Sequence, residues 1–433
     1  MKIKTIILSA IIATNAFASE KTNKDWMRNL KAEGINPQEQ AYCYTNEANE
    51  VEGSNVDMRI RLASVSKLLV SLWSIDKLGI KHTFDTKLFI KGSNLHIQGS
   101  FDPFLSNEKM FFLISQLNEL GYNKFDTITF DKNLMVFPDA PYLIDEHPDM
   151  SRNAHVNLLM RYFNTAKWGQ DFKDEYANFK SMAKAGLYRD SVKFEVANVV
   201  FSETNPFEND AESRMFTLSS PPLYKYLKEM NVKSNNYVSE TTFRALGNAK
   251  AFEAYLLEKF NITKDTMKLW TGSGLPYRNE EGTRFDNYST CKTMLNVVSS
   301  LKEEIESQGM EIEDVVAVPG NDKGTFRNRI FPADYKNSFV AKTGTLMHTS
   351  TLAGLMNTQK GISFFGVFNQ STDIHGSKSV QNEMVKSIMT EMGGPKAFDY
   401  VVESFHTYNG DMLKSLINLD LEDDFSPISG SLK

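Results

Sequence analysis

Three short motifs hold the residue types that could do covalent chemistry. Ser64-Val65-Ser66-Lys67 is S-x-x-K. At the start of a helix, residues i and i+3 share a face, so the Ser64 hydroxyl and the Lys67 amine can meet. An ammonium cannot accept a proton. The pair therefore becomes nucleophile and base only if Lys67 is neutral at the moment of attack, a state favoured by desolvation or by a second cation nearby. The pattern alone is common: Ser181 to Lys184 and Ser299 to Lys302 also fit it, and a helix-cap serine followed by a surface lysine would look the same. Lys342-Thr343-Gly344-Thr345 is more specific, because K-[ST]-G occurs nowhere else in the chain. A lysine beside two hydroxyls suits a carboxylate, and Gly344 lets backbone N–H groups approach a ligand; an edge-strand lysine entering a turn is the plainer alternative. Ser234-Asn235-Asn236 is S-x-N, a pattern that Ser151-Arg152-Asn153 repeats. Tyr176-Ala177-Asn178 is a rival Y-x-N, but Lys173, Asp174, Glu175 and Lys180 around it read as a solvated helix.

The elements that must position these groups follow from periodicity. Ser64 to Leu78 reads as a helix, with Leu68, Leu69, Leu72, Ile75 and Leu78 near helical spacing. Gln40 to Tyr44 and Met58 to Leu62 read as short strands around a polar, turn-like Asn46 to Asn55. Ser338 to Leu346, Thr351 to Met356 and Ile362 to Asn369 resemble three consecutive antiparallel strands, followed by a helix from about Lys378 to Met392. A helix from Leu223 leads directly to Ser234 and another covers Ser239 to Leu246, so S-x-N lies in a loop between helices that can push a hydroxyl and an amide into a cleft. Further helices are expected over Ala249 to Phe260 and Ser289 to Leu301. From about His82 to Thr217 the texture changes to Phe- and Asp-rich alternation, with strands at Lys87 to Ile90 and Thr127 to Phe130 and a helix around Lys109 to Leu120.

Composition narrows the classes. The 433 residues are 41% hydrophobic and 24% charged, which excludes wholesale disorder and collagen and suggests about two domains. A net charge of -6 argues against a nucleic-acid binder. Lys2 and Lys4, the apolar run Thr5 to Ala13 and Ala16-Phe17-Ala18 have the order of an export signal cleaved after Ala18. Export would make a Cys43–Cys291 bridge permissible, but spacing leaves the bridge and two separate thiols equally open. No apolar stretch in the body of the chain reads as a membrane span. His147 and His155 are the nearest histidine pair, but Pro148 interrupts any zinc-protease helix motif, so no metal is expected. Most of the 30 Phe and 16 Tyr should be core.

S-x-x-K, S-x-N and K-T-G in this order resemble the signature of penicillin-binding proteins and serine β-lactamases. The wider match is to the low-molecular-mass class C penicillin-binding proteins, the D-alanyl-D-alanine carboxypeptidase/endopeptidase family. Gly99 to Pro103, Ser234 to Leu246, Gly272 to Leu275, Gly324 to Arg327 and Ala341 to Gly354 carry it, across roughly Cys43 to Asn369. Leu62-Ala63 stands where the family often has Pro-Ala, and Asn235 where it commonly has Asp. The interval from Lys67 to Ser234 is short for the family, which suggests a reduced accessory insertion.

The resemblance implies an α/β (α+β) transpeptidase-like fold, in which an antiparallel sheet flanked by helices holds the site between Ser64's helix and Lys342's strand. It also implies an organisation of signal peptide 1–18, peptidase domain 19–81 and 218–392, smaller inserted mixed domain 82–217, and acidic tail 393–433. Ser64 would be the nucleophile and Lys67 its base. Ser234 would bridge Lys67 and Lys342 and pass the proton to the leaving amine. Asn236 would hold the substrate amide or orient Lys67. Lys342, Thr343 and Thr345, with Gly344 between, would bind the terminal carboxylate. The backbone N–H groups of Ser64 and Thr345 would form the oxyanion hole. No cofactor is implied. The expected partners are peptidoglycan stem peptides, their cross-links and β-lactams; the expected compartment is the periplasm. A serine β-lactamase and a non-hydrolysing penicillin-binding sensor or scaffold are the alternatives, the first lacking an E-x-x-L-N motif in this chain.

Overall fold

The computed structural model describes residues 20–137, 151–182 and 192–405 and the backbone of 413–415. The expected export signal and its cleavage site, His147, Lys184 and the acidic run Asp420 to Asp424 lie outside the described residues. Contacts divide the chain into two compact units, 1–72 with 249–402 and 73–248 with 403–433.

The first unit is built on a five-stranded antiparallel sheet. Its order is Phe339–Leu346, Thr349–Thr358, Gly361–Asn369, Ala41–Thr45, Val51–Ser54. The three consecutive strands expected near the end of the chain form its main body, and Phe339–Leu346, which carries K-T-G-T, is an edge. Asn46 to Asn55 is not turn throughout. Val51–Ser54 pairs with Ala41–Thr45, and Gly53 fits there with its backbone against Tyr42 and Cys43, where a Cβ would meet the Tyr42 carbonyl. The helices Cys291–Ser307 and Ile374–Glu391 pack on the sheet. Trp26 of the helix Glu20–Ala32 lies against Tyr42, 4.8 Å between ring centroids. Cys43, on an interior strand, is disulfide-bonded to Cys291 at the start of the Cys291–Ser307 helix, 248 residues away. The bridge that spacing left open therefore joins sheet to helix.

The second unit has a six-stranded mixed sheet, Leu413–Ser415, Arg214–Ser219, Asp85–Lys91, Asn94–Gln98, Lys124–Phe130, Glu195–Phe201. The last two pairings are parallel. Its core is aromatic, and Phe111 touches Tyr162, Trp168, Phe172, Tyr176 and Phe179. Helix Gln170–Met182 forms as expected, but it is not solvated all round. Tyr176 is buried against Phe111 because apolar Phe172, Tyr176 and Phe179 share a face at helical spacing. That removes the rival Y-x-N tyrosine from any open cleft. His155, half of the nearest histidine pair, packs against Phe130 and Phe137.

Candidate active site

Ser64 sits in a tight 3-10 turn, Ala63–Val65, from which the helix Ser66–Leu78 continues. The turn is entered through Ala63 at φ 47°, a left-handed conformation that costs a non-glycine residue about 1 kcal/mol or more. Several bonds hold it there. The Ser66 hydroxyl donates to the Ala63 carbonyl at 2.8 Å and receives a bond from Asn287 Nδ2 at 2.9 Å. Leu62 N–H donates to the Asn287 carbonyl at 3.0 Å. A proline here, which the family resemblance would lead one to expect, has no N–H and could not make this last bond.

The S-x-x-K and K-T-G-T segments meet across a glycine. A Cβ on Gly344 would lie 2.8 Å from the Leu62 carbonyl and 2.9 Å from the Ser64 nitrogen, so only glycine lets the nucleophile turn rest on the strand. Gly274, at φ +87°, makes the same approach from another side, where a Cβ would stand 1.9 Å from the Ala63 carbonyl.

Lys67 is fully buried, with Nζ 3.0 Å from Ser64 Oγ and 2.8 Å from the Ser273 carbonyl. Lys342 is also fully buried, and its Nζ donates to the Thr343 carbonyl at 2.9 Å. Burial first, and the Lys67 charge second, push the Lys342 ammonium well below its ordinary range. Along the strand the residues are enclosed up to Gly344, and Thr345 is exposed. The arrangement therefore offers a hydroxyl beside an amine, a second amine one strand away, and an open edge at which an extended ligand can pair. Its chemistry is attack on a carbonyl carried by an anionic substrate.

Ser234 and Asn236 belong to the second unit. The expected loop is a tight corner: Ser234 ends the helix Leu223–Lys233 in the left-handed region, φ 58° and ψ 41°, and Asn236 opens the helix Asn236–Ala245. Asn235 caps that helix, its side-chain oxygen accepting from Val238 N–H at 3.0 Å. Aspartate, the commoner family residue, would make the same bond, so this departure leaves the corner intact.

Comparison with known proteins bears on the whole arrangement. The profile of the D-Ala-D-Ala carboxypeptidase 3 (S13) family matches residues 180–391. Carboxypeptidase DacB of Mycolicibacterium smegmatis is 28% identical over 156 residues, 33% of this chain and 32% of that protein, so the match spans about a third of the relative's length. A predatory peptidoglycan endopeptidase from Bdellovibrio bacteriovorus is 27% identical, with a TM-score of 0.76 over 87% of this chain and 98% of the other. A penicillin-G-acylated form of a Bdellovibrio predatory endopeptidase superposes with a TM-score of 0.75 at 26% identity, over the same shares. In its motifs, in the family profile and in these superpositions, the chain is similar to the low-molecular-mass class C penicillin-binding proteins.

Three residues at this site were not read as site residues from the sequence. Thr325 accepts a bond from the Thr343 hydroxyl at 2.9 Å. Ser273 supplies a carbonyl to Lys67, and Asn287 ties the nucleophile turn to the Trp270–Thr271 backbone, accepting from Trp270 N–H at 2.7 Å. Thr325 and Ser273 lie in stretches that resemble the family, Gly324 to Arg327 and Gly272 to Leu275, and that was the available signal. Asn287 stands in no motif. Its bonds to the nucleophile turn, to Ser66 and Leu62, join residues more than two hundred apart in the chain.

Proposed function

We propose that this protein is an exported serine DD-peptidase that hydrolyses peptidoglycan stem peptides, at D-Ala-D-Ala ends, at cross-links, or at both, through an acyl-enzyme on Ser64. The observation that carries the reading is the Ser64 Oγ–Lys67 Nζ distance of 3.0 Å beside a second buried lysine. A neutral Lys67 takes the Ser64 proton as the hydroxyl adds to the scissile carbonyl. The backbone N–H groups of Ser64 and Thr345 receive the oxyanion. Ser234 passes the proton to the leaving amine, and Asn236 holds the substrate amide or orients Lys67. Lys342, Thr343 and Thr345 bind the carboxylate of the leaving residue, with Gly344 giving the close approach. Water then hydrolyses the ester. β-Lactams enter the same route and leave a slow ester.

The peptidase domain comprises 19–81 and 218–392, with 82–217 as an accessory insertion. Export to the periplasm is supported by the order of features in residues 1–18 and by the Cys43–Cys291 disulfide, a bond that persists in oxidising compartments. Among the described residues no helix is long and apolar enough to cross a membrane.

Intact-mass spectrometry after incubation with benzylpenicillin, with peptide mapping, tests the assignment. One adduct on the peptide containing Ser64, absent in Ser64→Ala, is expected. Equal labelling of Ser64→Ala would remove Ser64 as the nucleophile.

A further inference from the structure

The peptide unit between Ala63 and Ser64 has its N–H assigned to the oxyanion, and its carbonyl is bonded from behind. Ser66 Oγ donates to the Ala63 oxygen at 2.8 Å. Asn287 Nδ2 donates to Ser66 Oγ at 2.9 Å and to the Thr271 carbonyl at 2.8 Å. Asn287 Oδ1 accepts from the N–H groups of Trp270 at 2.7 Å and Thr271 at 3.2 Å. All of these residues lie in the first unit, and Ala63, Ser66 and Asn287 are at most 1% exposed.

Each proton in this chain of bonds has one place to go. Two backbone N–H groups aim at one end of the Asn287 amide, so that end is the oxygen and the other is the NH2 group. The NH2 group only donates, so Ser66 Oγ accepts from it. The Ala63 carbonyl only accepts, so the Ser66 proton points at it. Donation therefore runs in a single sense, from the Trp270–Thr271 backbone through Asn287 and Ser66 to the Ala63 oxygen.

A bond that only braced the turn could run either way. Run in this sense, it pulls charge onto the Ala63 oxygen, deepens the double-bond character of the Ala63–Ser64 amide and leaves Ser64 N–H a stronger donor. Among the described residues that N–H bonds to no other group. Gly274 and Gly344 rest against the same peptide unit, and a Cβ on either would stand 2.9 Å from the Ser64 nitrogen. The plane is thus clamped in the orientation in which the bonds polarise it. Shielded from water, each link strengthens the next by about 10–30%.

We propose that Ser66 and Asn287 are positioning residues for the oxyanion: a one-way hydrogen-bond relay that fixes the Ala63–Ser64 peptide and raises the donor strength of its N–H. The proposal rests on the DD-peptidase reading, which supplies the oxyanion. Because that negative charge exists only on the way to the acyl-enzyme, the relay acts on the rate of acylation and leaves initial binding alone.

The test follows benzylpenicillin on Ser66→Ala, separating the affinity of the initial complex from the acylation rate constant. It adds the infrared band of a carbon-13-labelled ester carbonyl in the penicilloyl-enzyme. Acylation should slow by about 10-fold, less than the 100- to 1000-fold expected for losing an oxyanion donor outright. Affinity of the initial complex should change by less than about twofold. The ester band should move to higher frequency, toward that of a free ester. Asn287→Ala leaves the Ser66 hydroxyl without its donor, so its band should move the same way by less. Adding Ser66→Ala to Asn287→Ala should do no more than Ser66→Ala alone. The band in either variant decides the question if the other does not fold. Slower acylation with an unmoved ester band would mean that Ser66 only braces the turn, and would overturn the relay; unchanged acylation would overturn it too. Failure of unsubstituted protein to take penicillin on Ser64 would remove the DD-peptidase reading, and the relay with it. A labelled protein whose Ser66→Ala band stays put loses the relay alone.

Discussion

Lys342 in the first unit and Lys109 in the second are both fully enclosed, and burial pushes each ammonium below its ordinary range. Their surroundings differ. Lys109 is ion-paired with Asp102 and donates to the Tyr226 hydroxyl at 3.0 Å, and that hydroxyl donates to the same carboxylate at 2.9 Å. Each polar atom of the triad has a partner, and Asp102 acts against the effect of burial. Lys342 instead faces a second cation, Lys67, whose charge adds to the effect of burial. A buried cation with its counterion is a structural joint. Two buried cations sharing hydroxyls and carbonyls keep an amine near neutrality and hold a place for an anion that arrives with the substrate.

The sharpest way to break this contrast is to remove one lysine from each region. Lys67→Met should lower penicillin acylation by at least about 1000-fold, the scale of losing a member of a nucleophile–base unit. It should leave unfolding stability unchanged or higher, because one of two like charges is gone. Lys109→Met should do the reverse, costing about 3–5 kcal/mol in denaturant unfolding by leaving Asp102 buried without its cation. Adding Asp102→Asn to Lys109→Met should recover most of that loss. If Lys67→Met proves as destabilising as Lys109→Met, the two regions are not different in kind.

The next effect is a pH dependence. The folded pKa of Lys342 lies below the ordinary lysine value, so its charge is lost at lower pH than in the unfolded chain. For carboxylate-terminated substrates kcat/KM should therefore fall as pH rises through a value below 10.5, and an amide-capped substrate should lack that descent. Between the folded and unfolded pKa values the unfolded chain binds more protons, so stability should rise with pH across that window. Lys342→Ala should remove the dependence and weaken carboxylate substrates by about 10- to 100-fold at neutral pH. A pH profile identical for both substrate types would place the substrate carboxylate elsewhere.

The contrast also explains what could be read before any coordinates. The catalytic side was legible because its chemistry is local: Ser64 and Lys67 are one turn apart, and K-T-G-T announces its own strand. The six-stranded sheet was legible only in part, because its strands pair across long intervals. Val51–Ser54 was hidden in a run of turn-forming residues, where pairing with Ala41–Thr45 outweighs the presence of Gly53. The Cys43–Cys291 bond and the Asn287 bonds to the nucleophile turn span more than two hundred residues, and no periodicity reports on such contacts. The Arg59–Arg61 strand was read within Met58 to Leu62, but its pairing with Tyr288–Thr290, more than two hundred residues on, was not.

Thr325 gives the smallest effect and the finest test of the site. The Thr343 hydroxyl donates to Thr325 Oγ1 at 2.9 Å, which turns its proton away from the place assigned to the substrate carboxylate. A bound carboxylate would draw that proton to itself, and the Thr325 hydroxyl, which is both donor and acceptor, can then reverse and donate to Thr343. Thr325 is thus a positioning residue that acts through Thr343. Thr325→Val keeps the shape and removes the partner. It should raise KM for carboxylate-terminated peptides by about 3- to 10-fold with kcat unchanged, the size of one neutral hydrogen bond. Thr325→Ser should restore KM, and an amide-capped peptide should not register the change. A fall in kcat on both substrates would instead mean that Thr325 supports the strand itself, and that the carboxylate is held without this relay.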